Sequence, residues 1–324
     1  LFVVIFTSLI FGYIFLLPDQ FISLAKSAIY TILFTSNIFF YFSEIQYGIE
    51  SGIGQPLLHT WSLGIEEQFY LIYPILLYFI FKKKLNLFYY IFLSIFVLSF
   101  LLSIIFANID VQASFYLTQF RIWELISGCI TAKIYNDRKI RNNFSNIKNY
   151  FSILGIILIF LSLILVDEVI IYKPWVSLII ILGTIMILIN DKQSSLINKI
   201  LSFKVIVFIG LISYSLYLWH YPVFYLVKLT EFASGEIINK IILIVLLFLL
   251  STLSYFFIEK PFRNNILISN RIFIITFFLF SIILIIFSFK IIETNGFKHR
   301  IPEIFNTNNN LIYESTKKEL QNDI

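Results

Sequence analysis

Cysteine occurs once, as Cys129 within an apolar stretch, so no disulfide can close inside the chain and no thiolate metal cluster can form. Charge is scarce as well. Asp, Glu, Lys and Arg make up 13% of 324 residues, where soluble domains carry about 25%. Glycine-rich phosphate loops, HExxH, CxxC and GxSxG are all missing. Nucleotide hydrolysis and structural zinc are therefore unsupported, and the expectation is no bound metal and no bound cofactor.

What fills the chain is hydrocarbon. Hydrophobic residues make up 59%, aromatic residues 19%, and the mean hydropathy is +0.89. The apolar runs are about 17–23 residues long, enough to cross a hydrocarbon core of about 30 Å as helix, and they lack the alternation of a barrel strand. The expected fold class is an all-α polytopic integral membrane protein with about ten transmembrane helices in one bundle. Hydropathy places them at 1–17, 25–43, 62–81, 85–107, 117–134, 150–166, 175–190, 205–228, 238–257 and 272–291.

The net charge of +5 and the pI near 9.0 do not point to nucleic acid, because the basic residues sit in short loops between spans. Lys82 to Lys84, Arg138 to Lys148, Lys192 to Lys204 and Lys260 to Arg271 alternate with loops carrying Glu44 and Glu50, Asp110, Asp167 and Glu168, or Glu231 and Glu236. By the positive-inside rule the basic set is cytoplasmic and the C-terminal tail lies outside. Residues 1–291 read as one transmembrane domain and 292–324 as a polar extracytoplasmic tail, the start of a linker. The chain opens inside an apolar run with Met186 its only methionine, so both ends read as cut.

Ionisable groups inside a membrane cost about 2.5–3.5 kcal/mol each on insertion scales, so each needs a reason. Four clusters call for one. In Pro56 to Tyr70, a helix starting near Ser62 puts Glu66, Tyr70 and Tyr73 on one face and turns Glu67 about 100° away, with His59 just ahead. These groups either do acid–base chemistry or sit satisfied at the membrane boundary. Arg121 and Glu124, flanking Trp123, can form an ion pair at i, i+3 or hold a donor phosphate. Ser213, Tyr217 and His220 recur at i, i+4, i+7 on an aromatic helix that Pro222 is expected to kink, making His220 either a base or a packing histidine. Glu259-Lys260-Pro261-Phe262-Arg263 ends a span, where it can order a loop, bind headgroups or touch a cytosolic cofactor.

These clusters, in this order and joined by Ser36-Asn37, resemble the acyltransferase 3 family of bacterial membrane O-acyltransferases, over the stretch from the first span to about residue 265. The resemblance implies transfer of an acyl group, commonly acetyl, from a cytoplasmic acyl-CoA to a hydroxyl of a surface glycan such as lipopolysaccharide O-antigen or peptidoglycan. It implies a bacterial inner-membrane location. By position it assigns His59, Glu66, Glu67 and His220 to catalysis, and Arg121, Trp123, Glu124, Tyr70, Tyr217, Ser213, Lys260 and Arg263 to binding or structure. The family's first helix, with its Arg and His, and the SGNH-type domain of fused members are not in this sequence, so the stretch is expected to be inactive alone. A transporter or flippase for a lipid-linked glycan is the alternative, and it predicts inverted repeats and discontinuous spans.

Overall fold

The computed structural model describes residues 1–47, 55–83, 87–137, 148–165, 173–189, 196–229, 237–264 and 267–300. Among them every regular element is helical, as the composition requires. The first three helices are α1 (Phe2–Phe15), α2 (Pro18–Ile32) and α3 (Ser36–Tyr47). Then come α4 (Thr60–Lys83), α5 (Leu87–Ile109), the short α6 (Val111–Tyr116) and α7 (Thr118–Asn136). A hairpin of α8 (Lys148–Leu165) and α9 (Pro174–Ile189) precedes α10 (Leu196–Leu201), α11 (Lys204–Leu229) and α12 (Ile237–Ser254). A wide π turn, Tyr255–Glu259, leads into α13 (Lys260–Arg263), and α14 (Asn270–Glu293) ends the bundle.

By length and composition, α4, α5, α11, the run Ile237–Arg263 and α14 can each cross a membrane, while α1, α9 and the apolar part of α8 are shorter. Their outward faces are apolar: Ile164, for example, is 81% exposed. In a bilayer such faces meet lipid at no cost, and backbone polarity is satisfied within each helix.

The expected span at 25–43 is two helices. Hydropathy runs unbroken through Ile32-Leu33-Phe34-Thr35, but Phe34 takes the left-handed conformation at φ 59°. The Thr35 N–H then reaches back to the Tyr30 carbonyl at 2.8 Å and the Phe34 N–H to Thr31 at 3.2 Å. This closes α2 with the helix stop that glycine usually makes. Tyr30 and Phe39 stack across the break at 4.9 Å. Asn295, at φ 51°, closes α14 in the same way, with the Gly296 N–H bonded to the Ile291 carbonyl at 2.8 Å.

Among the described residues, three apolar clusters hold the bundle. Ile5, Leu9, Phe21, Leu24 and Leu284 join α1, α2 and α14. Val4, Leu63, Trp219 and Leu247 join α1, α4, α11 and α12. Phe69, Phe92 and Ile126 join α4, α5 and α7. The α8–α9 hairpin closes on glycine. A Cβ on Gly155 would lie 2.5 Å from the Gly183 carbonyl oxygen, and one on Gly183 2.7 Å from that of Gly155, so only hydrogen fits at either.

Beyond α14, Arg300 folds back onto α1. Its guanidinium donates to the carbonyls of Gly12 (3.2 Å) and Leu16 and lies over the Tyr13 and Phe21 rings. It thereby satisfies carbonyls that the end of a helix leaves open. Partial burial lowers its pKa from the ordinary arginine value, yet a guanidinium stays charged. Residues 301–324 of the expected tail lie outside the described residues, as do the loops at 138–147, 166–172 and 230–236.

Candidate functional site

His59 sits in the turn ahead of α4, locked from three sides. The Thr60 hydroxyl donates to the Leu57 carbonyl at 2.8 Å and meets the Thr31 hydroxyl at 2.9 Å, while Ser36 donates to the Thr60 carbonyl at 2.7 Å. Gly64 lets α3 approach, since a Cβ there would stand 3.0 Å from both Ser36 Oγ and Asn37 Oδ1. Gln68 completes the frame, donating to the Phe34 carbonyl (2.8 Å) and to Asn37 Oδ1 (2.9 Å) and accepting from the Thr118 hydroxyl. Asn37 in turn donates to the Tyr116 carbonyl at 3.1 Å.

Against this fixed turn α11 presents Tyr217, His220 and Tyr221. The Tyr217 hydroxyl lies 2.6 Å from Ser62 Oγ and donates to the His59 carbonyl. The His59 ring is 5.4 Å from that of His220 and stacks on Tyr221 at 5.6 Å. His59 is 5% exposed, and neither ring nitrogen has a hydrogen bond of acceptable geometry, although the Leu218 backbone is close by. Burial first, and the neighbouring His220 second, hold its imidazole well below the usual histidine range, so it is neutral.

His220 is oriented differently. Its Nδ1 lies 2.5 Å from the Tyr217 carbonyl oxygen, which can only accept. Nδ1 therefore carries the proton, and in the neutral ring Nε2 is left as the acceptor.

The fourth cluster locks onto the third. Ser215 Oγ donates to Glu259 Oε2 at 3.0 Å, and Trp219 Nε1 donates to Ser254 Oγ at 2.7 Å. The π turn at Tyr255–Glu259 swings Glu259 inward, and Arg263, 72% exposed, pairs with it at 3.1 Å. Lys260 lies outside, its ammonium 5.4 Å from the Phe256 ring. Glu66 and Glu67 are half-buried on α4, and among the described residues neither makes a hydrogen bond or ion pair.

Arg121 and Glu124 pair at 2.7 Å. The Arg121 guanidinium lies 5.2 Å over the Trp61 ring and 5.1 Å from Phe115. The opening motif is thus divided: His59 and Ser62 face α11, and Trp61 faces α7.

Two expected members of the site stand apart from it. Tyr70 is 55% exposed on the outer face of α4, so it does not continue the Glu66 face inward. Ser213 is exposed and its hydroxyl returns to the Gly210 carbonyl of its own helix at 2.8 Å; Ser215, two residues on, is the buried one. Pro222 lies inside one continuous helix, Lys204–Leu229. Sequence spacing passes over Ser62, Ser215 and Tyr221. Ser215 and Ser62 carry no signal beyond their place in a motif, whereas Tyr221 adjoins His220 directly.

A helical membrane bundle in which the buried His59 meets the half-buried His220 through Tyr217 is the class of protein that fold and site define. Residues 2–289 match the acyltransferase domain family, and the chain belongs to it. It is similar to the peptidoglycan O-acetyltransferase OatA of Listeria monocytogenes, 33% identical over 266 residues, which is 78% of this chain and 42% of the relative. It is also similar to the O-acetyltransferase OatA of Staphylococcus aureus, 34% identical over 263 residues, 76% of this chain and 43% of the relative. The chain therefore spans about two-fifths of the length of these relatives. No solved structure matches it.

Proposed function

We propose that this chain is the membrane part of an O-acyltransferase that moves an acetyl group from a cytoplasmic acyl-CoA to a hydroxyl of a cell-wall glycan. Peptidoglycan, which the name of the Listeria relative specifies, takes precedence over the O-antigen that the resemblance implied. The protein would sit in the cytoplasmic membrane with its C-terminal tail outside, where an SGNH-type domain could complete transfer in a longer chain.

The observation that carries this reading is the tautomer imposed on His220. With Nδ1–H held by the Tyr217 carbonyl, Nε2 can take the proton of an attacking hydroxyl. The hydroxyl oxygen bonds to the thioester carbonyl carbon to give an oxyanion, whose collapse breaks the C–S bond as the proton passes from Nε2 to the departing thiolate. The neutral His59, buried against His220, supplies an N–H donor for the oxyanion formed between these steps.

The test is acetyl ester formation on isolated glycan, followed by mass spectrometry together with loss of acetyl-CoA, in membranes holding the full-length protein. Glycan movement without ester formation would favour the flippase reading. The break between α2 and α3 is a discontinuous span of the kind that reading calls for, but no inverted repeat accompanies it in the sequence.

A further inference from the structure

Gln68 belongs to the opening motif, yet the acid–base scheme gives it no task. The Phe34 carbonyl can only accept, so the Gln68 amide nitrogen is the atom that faces it, at 2.8 Å. Asn37 is fixed by the same reasoning. Its Nδ2 donates to the Tyr116 carbonyl at 3.1 Å, which turns Oδ1 toward Gln68 Nε2 at 2.9 Å. Gln68 Oε1 accepts from the Thr118 hydroxyl. Both sides of the amide are thereby engaged, with partners at the α2–α3 break, on α3 and on α7. A carboxylate in this place would set oxygen against the Phe34 carbonyl and Asn37 Oδ1, so the position calls for glutamine and not a third glutamate. Inside a bilayer no water stands by to pair the Phe34 carbonyl, which makes Gln68 the condition for the break.

The break in turn serves the His59 turn. In an unbroken helix Thr31 and Ser36 would stand about 7.5 Å apart along the axis and about 140° apart around it. The stop at Phe34 brings both to Thr60: the Thr31 hydroxyl meets the Thr60 hydroxyl at 2.9 Å, and Ser36 donates to the Thr60 carbonyl at 2.7 Å. On the other side the Tyr217 hydroxyl donates to the His59 carbonyl. The turn is strung between the break and α11, and the 5.4 Å separation of the His59 and His220 rings depends on both attachments. Leu57 packs in the α1–α2–α14 cluster, but apolar packing is non-directional and fixes where the turn sits, whereas hydrogen bonds fix how it is aimed. We infer that Gln68 and Thr31 are positioning residues for acyl transfer, Gln68 holding the α2–α3 break in place and Thr31 relaying that position to Thr60, so that His59 is aimed at His220. The assignment rests on the acyl-transfer reading above, and both residues act through the turn.

The test uses the full-length protein in nanodiscs. Gln68→Glu removes both amide donors at nearly constant size, and Thr31→Val does the same for the hydroxyl. Each is expected to lower kcat for acetyl ester formation about 10²-fold per folded molecule, the cost of a misplacement of about 1 Å, with KM for acetyl-CoA unchanged. Thr31→Ser keeps the hydroxyl and should restore kcat. A second readout needs no turnover. Diethyl pyrocarbonate carbethoxylates accessible imidazoles, and peptide mass spectrometry separates His59, His220 and His299. Labelling of the buried His59 should quicken about tenfold in Gln68→Glu and Thr31→Val, as the loss of one hydrogen bond from the turn predicts, and slow again in Thr31→Ser. The exposed His299 should label at one rate throughout.

Unchanged kcat and unchanged His59 labelling would overturn the assignment, whatever the unfolding temperatures, since a merely structural role predicts a lower unfolding temperature and nothing more. A rise in the acetyl-CoA KM at constant kcat would also overturn it, by moving both residues to donor binding. If Gln68→Glu does not fold, the Thr31 series carries the same comparison. If the unaltered protein formed no ester, the acyl-transfer reading would fall and His59 labelling would decide alone: quickened, it leaves the two residues aiming the turn; unchanged, it removes them.

Discussion

Ser215 donates its hydroxyl to Glu259 across 3.0 Å, tying the charged end of one helix to the middle of the aromatic helix that carries His220. Two motifs that are 44 residues apart in sequence are thus one structure. The bond also explains the π turn, which rotates Glu259 toward α11 where regular helix would leave it turned elsewhere. Ser215→Ala is expected to destabilise the folded protein by about 1–3 kcal/mol, because a charged acceptor loses its donor in a buried place. Thermal unfolding in detergent would measure it, and Glu259→Gln, which can still accept the bond, should cost less.

His220 can be tested without disturbing its helix. His220→Asn keeps an N–H near the Tyr217 carbonyl but removes Nε2. Acetyl transfer should fall about 10²–10⁴-fold, the range of a lost general base, with thermal stability close to that of the unaltered protein. Near-normal turnover in that variant would place the base elsewhere.

The Tyr217 hydroxyl serves two partners, Ser62 and the His59 carbonyl. Tyr217→Phe and Ser62→Ala should therefore be non-additive, with a coupling of about 0.5–3 kcal/mol in a double-mutant cycle read by unfolding. Strict additivity would show that the bridge does not hold the turn.

Gly155→Ala and Gly183→Ala each push a methyl group into a facing carbonyl. Overpacking of this kind costs about 1–3 kcal/mol. The expected result is a lower unfolding temperature, with activity per folded molecule preserved, because the α8–α9 contact lies away from the histidines.

Arg300→Gln should release the end of α1. Its two backbone acceptors and two aromatic rings all belong to the α1–α2 corner, so faster amide exchange is expected over residues 12–21 and not in α11. The substitution removes the charge-assisted bonds to the Gly12 and Leu16 carbonyls.

Much of the molecule was legible before any coordinates. Long apolar runs located α4, α5, α11, α12 and α14, because span length and side-chain hydrophobicity are local properties. The motifs located the histidines, since buried ionisable groups are costly enough to mark a site. Phe34 hid the break between α2 and α3, as a phenylalanine at positive φ leaves no composition signal. Helical spacing also chose Ser213 over Ser215 and counted Tyr70 inward. Period alone says which residues share a face, and not which face meets a neighbour.

The sequence by itself determined a helical membrane protein of the acyltransferase kind, with His59, Glu66, Glu67, Arg121 and His220 as the groups worth locating, because hydrophobic length and motif order are carried along the chain. Only the tertiary structure decided their partners. It set His59 against His220, turned Trp61 away toward Arg121, and bound Ser215 to Glu259. Those choices depend on how α4, α7, α11 and the π turn pack, and packing is a relation between helices that no single stretch of sequence contains.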